Sequence, residues 1–304
     1  MIFEYKKWDE FCKKLYDVGM VSIPACEVAD VQDRYLVLKH DVETDVPRAV
    51  ELAKIEHRYG HRGSFYVQAY LMQDEKNIAL LKQMQAMGHE ISYHYDVMDS
   101  NKGNLEGAIA EFEQNRRIFE QNGFPIVTVC QHGNPVIERV GYTSNRDFFR
   151  SEKVQALYPE ISDIMVNFKV QAHTDYTYYS DAGRKFSTIY DPINNDIVNS
   201  DDKNIKYEDL NEVFAALQAG ENAILSTHPH RWTESAFEYT VKNGIFKIVK
   251  GTAKLLLHIP GMKKLMGRYY YLAKKKKKKK VEYYEIRAIR EAGSKQNSGN
   301  HEIY

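Results

Sequence analysis

The sequence predicts an α/β protein built on a parallel sheet or barrel, for two reasons. Short apolar runs alternate with helical patterns over residues 35–228, at the spacing typical of repeated βα units. The 304 residues are also enough to bury a large core, in one big α/β domain or two smaller ones.

The first βα unit shows the pattern most clearly. A short buried strand at 35–41 ends in polar groups. Asp45 as N-cap, Pro47 in the first turn and Gly60 as a stop then predict a helix over 45–60. Further strands are predicted at 63–70, 89–95, 125–133, 163–168, 185–191 and 222–228, and further helices at 76–88, 105–123 and 207–220.

Charge divides the chain into a body and a tail. The formal net charge is zero, but residues 251–304 carry 14 Lys/Arg against 4 Asp/Glu, and the first 250 residues carry 28 against 38. The tail includes seven consecutive lysines, and its polar end is typical of disorder. We therefore predict one catalytic domain over 1–250 and a basic, partly disordered extension over 251–304.

Histidine follows four of the predicted strands at the same relative edge. These residues are His40, His94, His132 and His228, each with carboxylate or polar neighbours. A single histidine at a strand end is more often an ordinary loop residue, but the carboxyl ends of parallel strands converge on one site. Imidazole combined with carboxylate favours a divalent metal, with zinc as the default.

Three segments carry a resemblance to a known family. LVLKHDVE, GHEISYHYD and ILSTHPHRW resemble, in order and spacing, the first, second and last motifs of the polysaccharide deacetylase superfamily, carbohydrate esterase family 4. TVCQHGNP and YYSDAGRKF take the places of the third and fourth motifs, and the resemblance is closest to a divergent His-Asp-x-Glu and His-Gly-x-Pro branch. This resemblance implies a fold, a distorted (β/α) barrel of about seven parallel strands. It also implies an activity, the metal-dependent removal of an N- or O-acetyl group from a sugar.

The resemblance also implies roles for individual residues. His40 takes the position of the general base and Asp41 that of a metal ligand, and His94 matches the first metal histidine of the second motif. The second histidine of that motif is replaced by Met98. The third ligand is therefore predicted to be His132, with Asp96, Asp99 and Glu43 as alternatives.

Strand geometry leaves the position of the general base open. Adjacent residues on a regular strand face opposite sides, so His40 and Asp41 can share a cleft only if the strand end curls. If it does not curl, Asp41 and Glu43 share a face and His40 points away.

The last two motifs predict the remaining site residues. His228 matches the acid that protonates the leaving group, and Asp181 is also predicted to be catalytic. Aromatic residues around Asp181 and Arg184 are typical of a sugar-binding rim. The predicted substrate-binding residues are Arg184, His230, Arg231 and Trp232.

Two functions follow as the main interpretations. The first is a zinc-dependent deacetylase acting on a sugar intermediate of surface polysaccharide, in the cytoplasm because residues 1–20 match neither a signal peptide nor a membrane span. The second is an altered barrel that binds a carbohydrate without deacetylating it, favoured by the loss of the second metal histidine. Specific nucleic-acid binding through the lysine run is disfavoured, because the body is acidic and no recognised module is present.

The lysine-rich tail predicts peripheral contact with the inner, anionic face of a membrane. Each lysine near an anionic leaflet contributes about 1 kcal/mol, so seven hold a protein reversibly. In liposome sedimentation at low salt, the full chain should partition onto anionic vesicles more than a version ending at Lys250. Equal partitioning of the two would contradict the prediction and leave a solvated basic tail.

Overall fold

An eight-stranded, mostly parallel sheet lies at the centre of the structure, a computed structural model that describes residues 3–134, 137–171, 174–189, 205–241 and 244–245. The strands are β1 (Leu36–Val42), β2 (Ser64–Val67), β3 (Glu90–Tyr95), β4 (Thr128–Gln131), β5 (Ser162–Asp163), β6 (Thr177–Ser180), β7 (Ser187–Thr188) and β8 (Ala223–Thr227). Their spatial order is β5-β4-β3-β2-β1-β8-β6-β7, with only β7 antiparallel to its neighbour. The sheet curls into a half-barrel, which confirms the predicted distorted barrel of about seven parallel strands.

Helices connect the parallel strands. They are α1 (Tyr5–Asp17), α2 (Val46–Arg58), α3 (Glu75–Ala86), α4 (Val97–Ser100), α5 (Leu105–Gln121), α6 (Asp147–Arg150), α7 (Glu152–Leu157), α8 (Phe168–Gln171) and α9 (Leu210–Ala219). Asp45 caps α2 as predicted, since its Oδ1 accepts a hydrogen bond from the Arg48 backbone at 3.2 Å. Within the described residues, every helix is too short or too polar to cross a bilayer.

Two predicted strands differ from the structure. The strand predicted at 163–168 is only the two-residue β5, because the Asp163 carboxylate accepts from the backbone N–H of Met165 at 2.7 Å and turns the chain. The strand predicted at 185–191 extends past the described residues, and its described part, 185–189, contains only β7, which pairs antiparallel with β6. The predicted basic extension, 251–304, lies outside the described residues.

The two faces of β1 enter different environments. Leu36 and Leu38 belong to a hydrophobic cluster with α1 and α9, whereas Val37 belongs to a cluster on the inner face of the curled sheet. All seven residues of β1 are buried, and they alternate between the two sides as a regular strand requires. The strand end therefore does not curl in the way that would bring His40 and Asp41 together.

His40 lies in a buried polar cluster between the sheet and the helices. Its Nε2 is 2.9 Å from Glu56 Oε1, an oxygen that also accepts from Trp8 Nε1 at 3.0 Å. The imidazole stacks on the Phe65 ring, with 4.2 Å between centroids. His40 and Glu56 are fully buried, so this cluster ties α1 and α2 to β1 and has no contact with solvent.

A glycine makes room for the cluster. A Cβ on Gly63 would lie 2.7 Å from the Leu38 carbonyl oxygen and 2.9 Å from Glu56 Oε2, both shorter than real Cβ contacts. The start of β2 therefore requires glycine where the Glu56 carboxylate approaches the sheet.

Loss of the Glu56 carboxylate from the buried cluster should lower the stability of the fold strongly. Glu56→Ala removes the acceptor of Trp8 and the partner of His40, so we expect the free energy of unfolding to fall by about 3–5 kcal/mol. Urea unfolding measures the change. The matched control is Glu51→Ala on the same helix, whose half-exposed pair with Lys54 should contribute less than about 1 kcal/mol. A fall for Glu56→Ala no larger than that of the control would contradict the account.

Candidate active site

A cavity of about 730 Å³ opens at the carboxyl edge of the sheet. The ends of β1, β3, β4, β6 and β8 line it, as expected for the functional edge of parallel strands. The lining residues that carry the chemistry are Lys39, Asp41, Glu43, His94, Cys130, His132 and His228.

The structure brings Asp41 and Glu43 into the cavity and leaves His40 outside it. Asp41 points inward from β1, and Glu43 follows just after the strand. His40 points to the opposite face, into the cluster with Glu56. The expectation that His40 acts as general base is therefore corrected, because strand alternation places its ring on the other side of the sheet.

His94 is held as a neutral imidazole. Its Nδ1 lies 3.0 Å from the Cys130 carbonyl oxygen, which can only accept, so the proton is on Nδ1 and the lone pair is on Nε2. Burial lowers the pKa of His94 to about 4, partly opposed by the charge of Asp41. A histidine oriented in this way by a backbone carbonyl is the usual arrangement of a metal ligand.

Two sets of potential metal ligands share His94. In one set the ligand atoms of Glu43, His94 and His132 all lie within 4.8 Å of one another, and in the other those of Asp41, His94 and Cys130 do. The predicted triad of Asp41, His94 and His132 is therefore divided between the two sets. Glu43 is one of the alternative third ligands predicted from the sequence, whereas Cys130 is not among the predicted ligands.

Glu43 sits among imidazoles. Its Oε1 is 3.3 Å from His132 Nε2 and 3.7 Å from His228 Nε2, and its Oε2 is 3.9 Å from His230 Nδ1. Burial raises the pKa of Glu43, but the hydrogen bond to His132 and the charge of His228 hold it well below its usual value. Glu43 is thus an ionised carboxylate facing three histidines.

The other alternative ligands have different surroundings. Asp99 is fully buried and accepts from Arg139, Tyr142 and Asn145 at 2.8–3.0 Å, which saturates its oxygens. Asp96 precedes α4 as its N-cap residue, and Met98 packs in the hydrophobic core. Asp99 therefore anchors the loop that follows β4 and is not placed to hold a metal.

A buried lysine lies at the floor of the cavity. Lys39 is fully buried, and its Nζ donates to Asp41 Oδ1 and, at 3.2 Å, to Ser226 Oγ. Burial raises the pKa of Asp41, but Lys39, together with His228, holds it below its usual value. The two charges therefore persist in the interior as a pair.

Asp181 holds His228 at the opposite wall. Asp181 is fully buried; its Oδ1 accepts from His228 Nδ1 at 2.6 Å, and its Oδ2 accepts from Thr227 Oγ1 at 2.7 Å. Arg231 donates to the same carboxylate at 2.6 Å. Burial raises the pKa of Asp181, whereas Arg231 and His228 hold it well below its usual value. The proton on Nδ1 of His228 is thus directed to Asp181. Nε2 of His228 faces Glu43 and lies 3.8 Å from Asp41 Oδ2.

The predicted substrate-binding residues divide into two groups. His230 lies beside His228, with 5.7 Å between ring centroids, and burial lowers its pKa to about 4. Arg231 lines the cavity while it holds Asp181. Trp232 is fully buried against Phe3, so its predicted contact with substrate is corrected. Arg184 is absent from the described lining and ends a short turn with a φ of 65°.

Sequence reasoning missed Lys39. The residue lies two positions before Asp41, so strand alternation alone places both side chains on one face. A lysine inside an otherwise apolar strand was a usable signal, because lysine is almost never buried without a partner.

Comparisons with known proteins gave similar structures only. No protein-family model matches the chain, and no curated protein matches it. The catalytic domain of peptidoglycan N-acetylglucosamine deacetylase from Eubacterium rectale is similar over 73% of this chain and 90% of its own, with 14% identity and a TM-score of 0.39. A mutant of a CE4 family pseudoenzyme with restored enzymatic activity is similar over 73% of this chain and 64% of its own, with 13% identity and a TM-score of 0.35. A mutant of peptidoglycan deacetylase PdaC from Bacillus subtilis is similar over 72% of this chain and 98% of its own, with 9% identity and a TM-score of 0.35.

Proposed function

We propose that this chain is a metal-dependent hydrolase that removes an acetyl or similar acyl group from a sugar. One observation supports this proposal best. Three potential metal ligands, an ionised carboxylate and a histidine with a fixed tautomer all lie around one cavity. A volume of about 730 Å³ is within the usual range for a small-molecule site. The order of the motifs along the chain agrees with this proposal.

The donor set of Glu43, His94 and His132 fits a catalytic divalent metal. Two imidazoles and one carboxylate are a common protein ligand set for catalytic zinc, which keeps one position open. The Nε2 lone pair of His94 and the ionised oxygens of Glu43 suit this role. A bound metal would polarise the acyl carbonyl and make water a stronger acid.

Asp41 replaces His40 as the proposed general base. Its Oδ1 is engaged by Lys39, while its Oδ2 faces His228 across the cavity. A carboxylate in this position can accept a proton from the attacking water, provided that the water sits within hydrogen-bond distance. Lys39 fixes the carboxylate and so determines which oxygen is presented.

His228 is the proposed general acid. Because Asp181 accepts the proton on Nδ1, only Nε2 can deliver a proton into the cavity. The carboxylate also stabilises the imidazolium that must form before the leaving nitrogen or oxygen is protonated. In this proposal Asp181 is a positioning residue, supported by Thr227 and Arg231, and it does not touch the sugar.

The proposed substrate is a sugar intermediate of surface-polysaccharide biosynthesis. Tyr178, Arg139 and Arg146 line the cavity together with His228, so the wall combines an aromatic face with hydrogen-bond donors. Such a wall suits a hydroxyl-rich ligand. His230 and Arg231 are placed next to the reacting groups and are proposed to orient the acyl-bearing end.

A second function is favoured by one observation. The ion pair with Lys39 reduces the basicity of Asp41, which weakens the proposed base. Met98 also packs in the core at the place of the superfamily's second metal histidine. A barrel that binds a carbohydrate without deacetylating it is therefore the alternative.

Metal content and acetate release separate the roles of the site residues. We expect Glu43→Gln and His94→Ala to lose the metal. Asp41→Asn and His228→Ala should keep it and lose about 10²–10⁴-fold in activity, the usual contribution of an acid or base. The measurements are elemental analysis of the purified protein and acetate release from N-acetylglucosamine oligosaccharides.

The matched control is His57→Ala, an exposed histidine of α2 outside the cavity, which should keep both metal and activity. Full activity of metal-depleted protein would rule out the metal. Stoichiometric metal in wild type, with oligosaccharide binding but no acetate release, would favour the carbohydrate-binding alternative.

A further inference from the structure

The ammonium of Lys39 lies next to a carboxylate and near two aromatic rings, surroundings that attract a cation. It is fully buried, contacts Asp41 Oδ1, and lies 5.5 Å from the centroid of the Tyr66 ring and 6.0 Å from that of Tyr178. Ring faces attract cations, so the aromatic pair adds to the attraction of the carboxylate.

Lys39 also reaches the second ligand set. Its partner Asp41 and Cys130, which lines the same cavity, are two of the three members of the Asp41, His94 and Cys130 set. A divalent ion bound there would lie directly beside a buried ammonium. Like charges in a poorly solvated interior repel strongly, so this set is blocked while Lys39 is present.

The neighbouring set has no such obstacle. Glu43, His94 and His132 lie toward the mouth of the cavity, where two side chains are partly exposed, whereas Asp41, His94 and Cys130 are all buried. Both sets need the single lone pair on Nε2 of His94, so the two sets cannot be occupied at the same time. What decides between them is the charge already present next to Asp41.

We propose that Lys39 is a positioning residue that directs the metal to Glu43, His94 and His132 and keeps Asp41 and Cys130 out of the coordination shell. The inference rests on the proposed function for the presence of a metal. It adds that an internal cation selects between two overlapping sites and thereby reserves Asp41 for proton transfer.

Removal of the ammonium should move the metal. In Lys39→Met the Asp41 carboxylate stays buried without its counter-charge, which is strongly unfavourable unless another cation takes the place. A divalent ion at Asp41, His94 and Cys130 supplies that charge. The thiolate of Cys130 then becomes a ligand, and a thiolate ligand has an optical signature.

Cobalt(II) titration of the full chain tests the inference. Wild type should show ligand-field bands without a thiolate-to-cobalt charge-transfer band. Lys39→Met should gain that band, Lys39→Met with Cys130→Ser should lose it again, and Lys39→Arg, which keeps the charge, should resemble wild type. A charge-transfer band in wild type, or cobalt bound by Lys39→Met without one, would overturn the proposal.

A second variant keeps the test independent of how well Lys39→Met folds. Cys130→Ser in the presence of Lys39 should leave cobalt affinity within about threefold of wild type, and a larger loss would overturn the proposal. Absence of cobalt binding by wild type would overturn it as well. Acetate release enters none of these readouts, so a protein that binds cobalt through nitrogen and oxygen but is inactive refutes only the proposed function.

Discussion

Successive side chains of a β-strand point to opposite faces, and along β1 this alternation separates two sets of polar groups. Lys39 and Asp41 point into the cavity, and His40 points into the layer between the sheet and its helices. Each face is buried, so each polar group needs a partner on its own side. Lys39 pairs with Asp41, and His40 pairs with Glu56. A shift of one residue in the register of β1 would exchange the two sets and leave both without partners.

The same rule of paired charges extends around the cavity. Asp181 is buried with Arg231 and His228, and Asp99 is buried with Arg139. These pairs do more than neutralise charge, because the Asp181 pair fixes the direction of the Nδ1 proton of His228 and the Asp99 pair anchors the loop after β4. Asp41 and Glu43 at the end of β1 thus face His228 at the end of β8 across the cavity. The atom that each of these side chains directs into the cavity determines its chemical role.

Strand-end residues could be predicted from the sequence, because parallel strands must present their carboxyl ends to a common edge. His94, His132 and His228 meet there. The side of the sheet could not be predicted for His40, because Val37 and Leu38 make both faces of the strand apolar and either face could have been the core. Nor could Trp232 be placed, because motif position gives its chain neighbours but not the aromatic cluster that buries it.

The short strands were the hardest elements to predict. β6 is four residues long and rich in tyrosine, so it carries too little of a period-two pattern to stand out, and β7 is a two-residue part of the strand predicted at 185–191. β5 ends early because Asp163 binds its own backbone two residues on, a local contact that hydrophobic periodicity does not reveal. Local side-chain bonds and tertiary packing thus decided what the pattern of the chain left open.

X-ray absorption at the zinc edge of the zinc-loaded full chain tests the central claim most directly, because it reports the atoms that surround the metal. With β1 in its observed register and Lys39 paired to Asp41, the coordination shell should contain two imidazoles with the remaining ligands from oxygen. A sulfur scatterer, or a single imidazole, would place the metal at Asp41 and Cys130 and contradict the account.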